Sequence, residues 1–423
     1  MTSVRAEWKT LTLHDWGMQA QSGFASGKHN SERLGIIHLR PMNISSDGRV
    51  VLNEVKHVED NSGRRVQQGD VLFNNTNSDV WVGKTAYISS EHSFAFSNHM
   101  TRLRFPDNLI DPKFMAMKLH SLWMMGYFKE ICSNHVNQAS VSTRRLSQIQ
   151  VSIPSIAEQR RIVEILEDHL SRLDAALADV KQARVKATQF RRSLFQAAFS
   201  DTLTLQGIVD LSELPADWRE VSIKDVADVI RGVTYSKSQT MAKGMLGAVP
   251  LLRATNLEPG RLIYEDMVYV PESVVKPKQI LQVDDIILAA SSGSISVVGK
   301  SAQVRNSNGE TFGAFCAVVR PKKVLGRYLG HWVQSPFVRD YWSSLAKGTN
   351  INNLKSSDIE GTKIPLPSVA RQHQIVEILE DHLSRLDASM KIANKIEQDA
   401  SSLRRSLLQA AFTGQLTREA IHV

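Results

Sequence analysis

The chain has 423 residues, 42% hydrophobic and 22% charged, with a formal net charge of +8 and a pI of about 9.4. No run of 18 apolar residues occurs and residues 1–8 lack the apolar core of a signal peptide, which argues against a membrane span or a secreted chain. Two distant cysteines, Cys132 and Cys316, exclude a disulfide framework and a cysteine metal cluster and fit a reducing cytoplasm, while the basic balance permits a polyanionic partner, nucleic acid first.

In chain order, residues 1–153 read as a first globular unit. Residues 8–15 alternate weakly, as a strand entering a turn; Gly23, Ser26 and Gly27 mark a loop; residues 34–40 are an apolar strand. The Asp47-Gly48 pair is a strong turn signal, and 50–52 and 71–73 follow as short strands. Residues 111–130 carry Met and aromatics at helical spacing, which predicts a packed helix, and 134–140 are a polar loop.

Residues 154–207 predict a first long helix, opened after Pro154 and uninterrupted by Gly or Pro before Gly207. On a spacing of 3.5 its seam is Ile162, Leu166, His169, Leu173, Ala176, Val180, Ala183, Ala187, Phe190, Leu194 and Ala197. An apolar seam held over about five heptads predicts a coiled coil. Roughly 43 residues would make a rod of roughly 65 Å. His169 and its counterpart His382 read as packed polar residues that fix register.

Residues 208–366 repeat the first unit's script. Leu252-Arg253-Ala-Thr-Asn256 answers Leu39-Arg40-Pro-Met-Asn43, Asp285-Ile-Ile answers Asp70-Val-Leu, and Gly299-Lys300 answers Gly83-Lys84. Residues 337–345 are a second aromatic helix and 347–353 the matching polar loop. Residues 367–423 then hold a second long helix and a tail, with Ile375, Leu379, His382, Leu386, Ser389, Ala393, Ile396, Ala400, Leu403, Leu407 and Ala410 on its seam. The 14 residues 162–175 recur letter for letter as 375–388, and 191–199 returns as 404–412 with one change, both at a shift of 213. The chain is therefore a duplicated domain-plus-helix. The two helices are each other's obvious partners, and a pseudo-two-fold axis would make them antiparallel. The fold class is α+β: two pseudo-symmetric α/β domains separated by a long antiparallel two-helix coiled coil. Near-identical helices joined to domains that share only short signatures suggest two readers of different targets.

Catalytic motifs are missing. There is no His-Glu-x-x-His, Cys-x-x-Cys, Gly-x-Ser-x-Gly or helix-opening Gly-x-Gly-x-x-Gly, and no Asn/Asp-Pro-Pro-aromatic motif of a base amino-methyltransferase. Residues 293–301 resemble a phosphate loop, but five residues stand between the glycines where four are needed, and a strand pattern follows. A rod carrying a divergent basic domain at each end suits two separated stretches of duplex, with helix length fixing the gap.

The chain resembles the specificity subunit of type I restriction-modification systems over essentially its whole length. The marks are Leu-Arg-x-x-Asn in each unit, an acidic pair or Gly-Asp before an apolar strand, the Gly-Lys strand, and the Ile-Pro-Leu-Pro closure. After them come Gln-x-x-Ile-Val-Glu-Ile-Leu and Arg-Arg-Ser-Leu-Leu-Gln-Ala-Ala-Phe-Thr-Gly. The first copy departs at Val151-Ser-Ile-Pro154 and at Phe199-Ser-Asp201, neither of which alters the architecture. The resemblance implies two target-recognition domains, each reading one half of a bipartite, asymmetric site in double-stranded DNA. It implies that the coiled coil sets the gap and docks two modification subunits, which bring S-adenosylmethionine and methylate adenine. Restriction subunits with an ATP- and Mg2+-dependent motor would join them. This chain would be non-catalytic, hold no metal or cofactor, and reside in the cytoplasm away from membranes.

On that resemblance Arg40, Asn43 and Lys84, with Arg253, Asn256 and Lys300, are expected near the DNA-facing region. The competing reading is that Leu-Arg-x-x-Asn stabilises a turn and Gly-Lys a strand edge. Divergent loop residues are the better base readers: Asn74, Asn75, Asn137 and Gln138 in the first unit, and Ser291, Ser292, Asn350 and Asn352 in the second. Two other readings stay open. One is an enzyme with an unrecognised site; the other is a coiled-coil scaffold whose basic domains bind nucleic acid without sequence preference.

Overall fold

A computed structural model describes residues 8–26, 30, 32–59, 62–136, 138–200, 203–204, 207–208, 218–258, 260–346 and 352–416. Two helices of 44 residues each, Ile156–Phe199 and Val369–Phe412, run through a chain otherwise built of short strands and helices. Pro154 and Pro367 close the preceding strands. Ser155 and Ser368 then cap the helices, their hydroxyls accepting from Glu158 N and Arg371 N at 3.3 Å.

The chain divides into two compact units, residues 1–181 with 394–423, and residues 182–393. Each unit holds one globular domain, the leading part of the long helix that follows it, and the trailing part of the other long helix. The first domain's last strand ends at Ile153 and the second's at Leu366. The expected start of the second domain at 208 falls in a stretch described only at 203–204 and 207–208.

The two domains share a scaffold. In the first, strand Lys9–Thr12 pairs antiparallel with Gln150–Ile153; in the second, Arg219–Ser222 pairs antiparallel with Lys363–Leu366. So each domain is closed by its own two ends at the root of its helix. A four-stranded sheet is ordered Gln19–Ser22, Met100–Arg104, Val71–Asn74, Thr85–Tyr87 in the first domain. Its counterpart in the second is Ala227–Arg231, Cys316–Pro321, Ile286–Ala289, Ser301–Gln303. The strands after Asp70 and Asp285 are buried on both faces, which their unbroken apolar runs predict. Each aspartate closes the turn before its strand and receives an arginine from the neighbouring strand. Asp285 accepts from Gln282 N at 2.8 Å and from Arg320 Nε and Nη2 at 2.8 and 2.7 Å; Asp70 does the same with Gln67 N and Arg104. Gly23 and Gly232 hold matching places where a Cβ would come within 2.1 Å of the carbonyl oxygens of Phe96 and Gly313. Only glycine fits there.

Three sequence expectations differ in detail, one being the polar loop at 134–140, where strands Ser133–His135 and Gln138–Ser140 pair antiparallel. Residues 50–52 form no strand; Val50 makes one bridge to Ile44, and Val51 N bonds back to Asn43 O. The expected helix at 111–130 is two helices, Pro112–Met124 and Tyr127–Ile131, broken at Gly126 with φ +82°.

The coiled-coil seam has the expected period but a different phase. The less exposed positions of the first helix run Val163, Leu166, Leu170, Leu173, Leu177, Val180, Arg184, Ala187, Arg191, Leu194 and Ala198. In the second they run Val376, Leu379, Leu383, Leu386, Met390, Ala393, Glu397, Ala400, Arg404, Leu407 and Ala411, the same positions shifted by 213. Every second expected position falls in this row, including Leu166, Leu173, Val180, Leu194, Leu379, Leu386 and Leu407. The alternating row sits one residue further along. His169 is exposed, and Phe190, Ile396 and Leu403 are 43%, 41% and 49% exposed. His382 is half-buried beside Phe190, ring centroids 6.2 Å apart. Ile162 and Ile375 are fully buried but serve the domain cores next to the seam. The true row contains arginines and a glutamate, whose aliphatic stems cover apolar neighbours while the heads find partners.

Within each unit the helix segments pair antiparallel. Asp174 bonds Arg404 while Leu177 and Ala400 line one pocket, and Leu170 and Leu408 another. In the second unit Arg191 bonds Asp387 at 2.9 Å. The trailing ends enter the domain cores. Leu408, Ala411 and Phe412 belong to the first unit's core, and Leu194, Phe195, Ala198 and Phe199 to the second's. The repeated Arg-Arg-Ser-Leu-x-Gln-Ala-Ala-Phe is thus a plug for a domain.

Candidate nucleic-acid interface

The Leu-Arg-x-x-Asn signature makes the same 3-10 turn twice, at Pro41–Asn43 and Ala254–Asn256. Both asparagines are 2% exposed. Asn43 Oδ1 accepts from Arg40 N at 2.9 Å, and its Nδ2 donates to Val51 O and Glu54 O at 2.9 and 3.0 Å. Asn256 repeats this with Arg253 N, Ile263 O and Glu265 O. Their hydrogen-bonding groups are committed to the fold. The arginines are half-buried and differ from the asparagines: Nε of both Arg40 and Arg253 is buried with no acceptor among the described residues. One further donor, Arg253 Nη2, bonds Asp266 O at 2.8 Å.

Lys84 is 7% exposed. Its ammonium donates to Ile44 O, ties the strand to the turn, and stands 4.9 Å from the Trp81 ring; burial lowers its pKa. Lys300, its counterpart, is half-buried. The difference follows the loop before it, which brings Trp81 in the first unit and Val297 in the second.

The loops chosen for divergence are brought together in both units. In the first, Thr76–Asn77 pairs with Gln138–Ser140, which pairs with Ser133–His135. In the second, Ser291–Ser292 pairs with Asn352–Asn353. Gln138 and Asn134 are exposed on this small sheet, as is Asn353. Of the remaining expected readers, Ser291, Ser292 and Asn352 lie on this sheet and are bonded within it, whereas Asn74 and Asn75 are committed elsewhere. Asn74 is fully buried and donates to Trp81 O at 2.9 Å. Asn75 is half-buried and donates to Thr101 Oγ1 at 2.8 Å and Asn98 O at 3.2 Å. Ser291 donates to Asn353 at 2.5 Å, Ser292 accepts from Ser294 N at 3.2 Å, and Asn352 donates to Gly293 O at 3.3 Å. Asn137 and Asn350 lie outside the described residues.

The expectations omitted three features of this surface. Asn134 lies three residues before Asn137, and Asn353 follows Asn352 directly. Trp81, 43% exposed, stacks on Trp123 with centroids 5.9 Å apart and planes at 21°; in the second unit Val297 stands at the place of Trp81, and Arg339 donates to Ser296 O nearby at 2.9 Å. Chemically, the surface offers amide and hydroxyl groups on paired strands, and among the described residues no cluster of His, Cys, Asp or Glu is placed to hold a metal ion. No described helix is long and apolar enough to cross a membrane.

Comparison with known proteins bears on this arrangement. The StySPI specificity subunit of a type I restriction enzyme from Salmonella potsdam is 39% identical over 206 residues, 48% of this chain and 44% of that protein. The EcoKI specificity subunit from Escherichia coli K12 is 38% identical over 208 residues, 49% of this chain and 45% of that one. These alignments thus span somewhat under half the length of both relatives. A chain solved in work on complex assembly and conformational transition of the type I R-M system matches 98% of this chain and 99% of its own, with a TM-score of 0.72 at 18% identity, a likeness of fold. The family model for the type I restriction modification DNA specificity domain matches twice, at residues 43–182 and 215–398, once for each scaffold described above. With most of its length covered by those two matches, the chain belongs to the type I restriction modification DNA specificity family.

Proposed function

We propose that this chain is the DNA-specificity subunit of a type I restriction-modification complex, and that each domain reads one half of a bipartite, asymmetric site in duplex DNA. The observation that supports this best is the small paired sheet that recurs on a shared scaffold with different side chains: asparagine, glutamine and threonine groups in the first domain, serine and asparagine in the second. Amides and hydroxyls are the groups that read base edges, and the half-buried Arg40 and Arg253 are the guanidinium side chains we assign to phosphate or guanine. The paired helices set the gap between half-sites and dock two modification subunits. Those subunits supply S-adenosylmethionine and the adenine chemistry; restriction subunits supply the ATP- and Mg2+-dependent steps. The chain itself catalyses nothing. It works in the cytoplasm.

The test is methylation mapping of genomic DNA from cells that hold this chain with its modification subunit. A bipartite motif with adenine methylated on opposite strands, lost on deletion of this chain, is the expected result. Binding that ignores sequence and only falls with salt would overturn the reading in favour of a scaffold with unspecific basic domains.

A further inference from the structure

The 14 residues 162–175 and 375–388 are identical, so any difference in how the two domains hold this stretch arises in the domains. They hold it differently at two carboxylates.

The first is Glu167 in one copy and Glu380 in the other. Lys113 reaches Glu167 at 2.7 Å, with the two side chains 35% and 47% exposed. Around Glu380 the domain assembles more. Arg327 donates from Nε at 2.8 Å and also from Nη2, His331 Nε2 lies at 3.0 Å, and Arg305 stands 3.7 Å away. The buried glutamines set the equivalence. Gln159 accepts from Asp111 N at 2.8 Å and Gln372 from Leu325 N at 2.9 Å, so Lys113 answers Arg327 and Met117 answers His331. A lysine gives a mobile point charge, whereas a guanidinium fork fixes direction. Burial would raise the Glu380 pKa, but hydrogen bonds from His331 and Arg327 hold it at about 2.

The second carboxylate is Asp174 and Asp387. In the second unit Asp387 meets Arg191 from the other helix at 2.9 Å, both side chains well exposed. In the first unit Arg404 makes the same helix-to-helix bond, and Arg49 from the domain's turn takes the other carboxylate oxygen. Val51 N bonds Asn43 O and Ile263 N bonds Asn256 O, so Arg261 answers Arg49. Arg261 pairs with Glu258 instead.

We infer that each domain is oriented on the invariant helix by its own cationic clasp, Arg49 on Asp174 in the first unit and Arg327 with His331 on Glu380 in the second. These are positioning residues for half-site reading, an inference that rests on the function proposed above. Apolar contacts between a domain and a helix tolerate small rotations. A charge-assisted hydrogen bond such as that of Arg49 narrows them, and the two donors of Arg327 narrow them further. Each domain therefore uses one of two available carboxylates as its angular stop and leaves the other weakly held.

The experiment uses the full chain assembled with its modification subunit. Duplexes carry the bipartite site with the gap varied base pair by base pair, or with one base changed in either half-site. Methylation rate is the readout. Glu380→Gln should slow methylation at the native gap by about tenfold, the scale of one charge-assisted bond, flatten the gap preference, and weaken discrimination in the second half-site only. Asp174→Asn should do this for the first half-site only. Glu167→Gln and Asp387→Asn should leave both. Arg327→Gln should reproduce Glu380→Gln, and the double variant should be no worse than either single one, which general loss of folding would not give. Equal effects of Glu167→Gln and Glu380→Gln, or equal loss in both half-sites, would overturn the inference. The unaltered chain decides the underlying reading in the same assay: no bipartite methylation overturns that reading and this one together, whereas normal methylation with four variants alike overturns the clasps alone.

Discussion

At the trailing end of the second helix, Phe412 meets the ring of Phe114 edge-on at 5.3 Å, and Lys118 lies 5.1 Å over it while donating to Phe412 O at 3.4 Å. At the trailing end of the first helix, Phe199 meets Tyr328 at 5.3 Å and Trp332 at 4.8 Å, both edge-on. Lys118 and Trp332 are equivalent positions by the count from the buried glutamines. The inserted element is nearly constant between copies and the receiving surface is not. A lysine at a helix C-terminus complements the dipole and the free carbonyl; a tryptophan at the same place adds buried aromatic area instead. The difference teaches that the duplication preserves the helix ends because each must enter a domain, while any chemistry that accepts a phenylalanine suffices in the domain.

The largest effect expected is crossed. Phe412→Ala should destabilise the first unit, although the residue is near the end of the chain, and Phe199→Ala should destabilise the second. Both rings are almost fully buried, at 3% and 6% exposure, so each truncation should cost about 3–5 kcal/mol. Hydrogen exchange followed by mass spectrometry separates the units. Loss of protection in the domain that precedes each helix in sequence, instead of the other one, would break the comparison.

Acid should separate the units next. His120, 4% exposed, has its pKa lowered to about 4 by burial. Its ring bonds Ser46 O at 3.1 Å in the neutral form. The unfolded chain takes up a proton near 6.5 and the folded one near 4, so this term is fully present above 6.5 and is eroded as pH falls between those values. It amounts to ~3 kcal/mol for a shift of this size. The equivalent position in the second unit is Gln334, which does not titrate. There the acid-sensitive group is Glu380, whose lowered pKa contributes stability above about 4.5 that is lost as pH falls toward about 2. At pH 5 the first unit should lose exchange protection and the second keep it. His120→Gln should level the two, and an unchanged difference would show that His120 is not its source.

The fold was legible where a pattern stands on many residues. The shift of 213 marks the duplication, and the 3.5 spacing marks the paired helices, because both repeat over long stretches. Phase was harder. The alternating row through Leu170 and Leu177 continues into Arg184 and Arg191, so a search for apolar residues prefers the neighbouring row through Phe190, which faces solvent. Long cationic side chains can occupy a seam, and polarity alone does not show this. The candidate interface was legible at the level of loops, since the segments chosen by divergence pair with each other in both units. Single side chains were not. The strand Val71–Asn74 is buried on both faces, so Asn74 at its end is buried with the apolar run before it, although its polarity suggests a surface.

The smallest effect tests the phase itself. The same histidine occurs at the same place in the identical segment, yet His169 is exposed while His382 is half-buried beside the edge of Phe190. The position answering Phe190 in the other copy is Leu403, which offers no ring. His169→Ala should therefore change stability by no more than about 0.5 kcal/mol, as exposed positions do. His382→Ala should cost about 0.5–1 kcal/mol, the worth of one edge-on aromatic contact, and Phe190→Leu should remove that difference. Thermal unfolding of the three variants checks it. If His169→Ala were as costly as Leu170→Ala, the seam would run through the histidine after all, and the arginines at 184 and 191 would have to leave it.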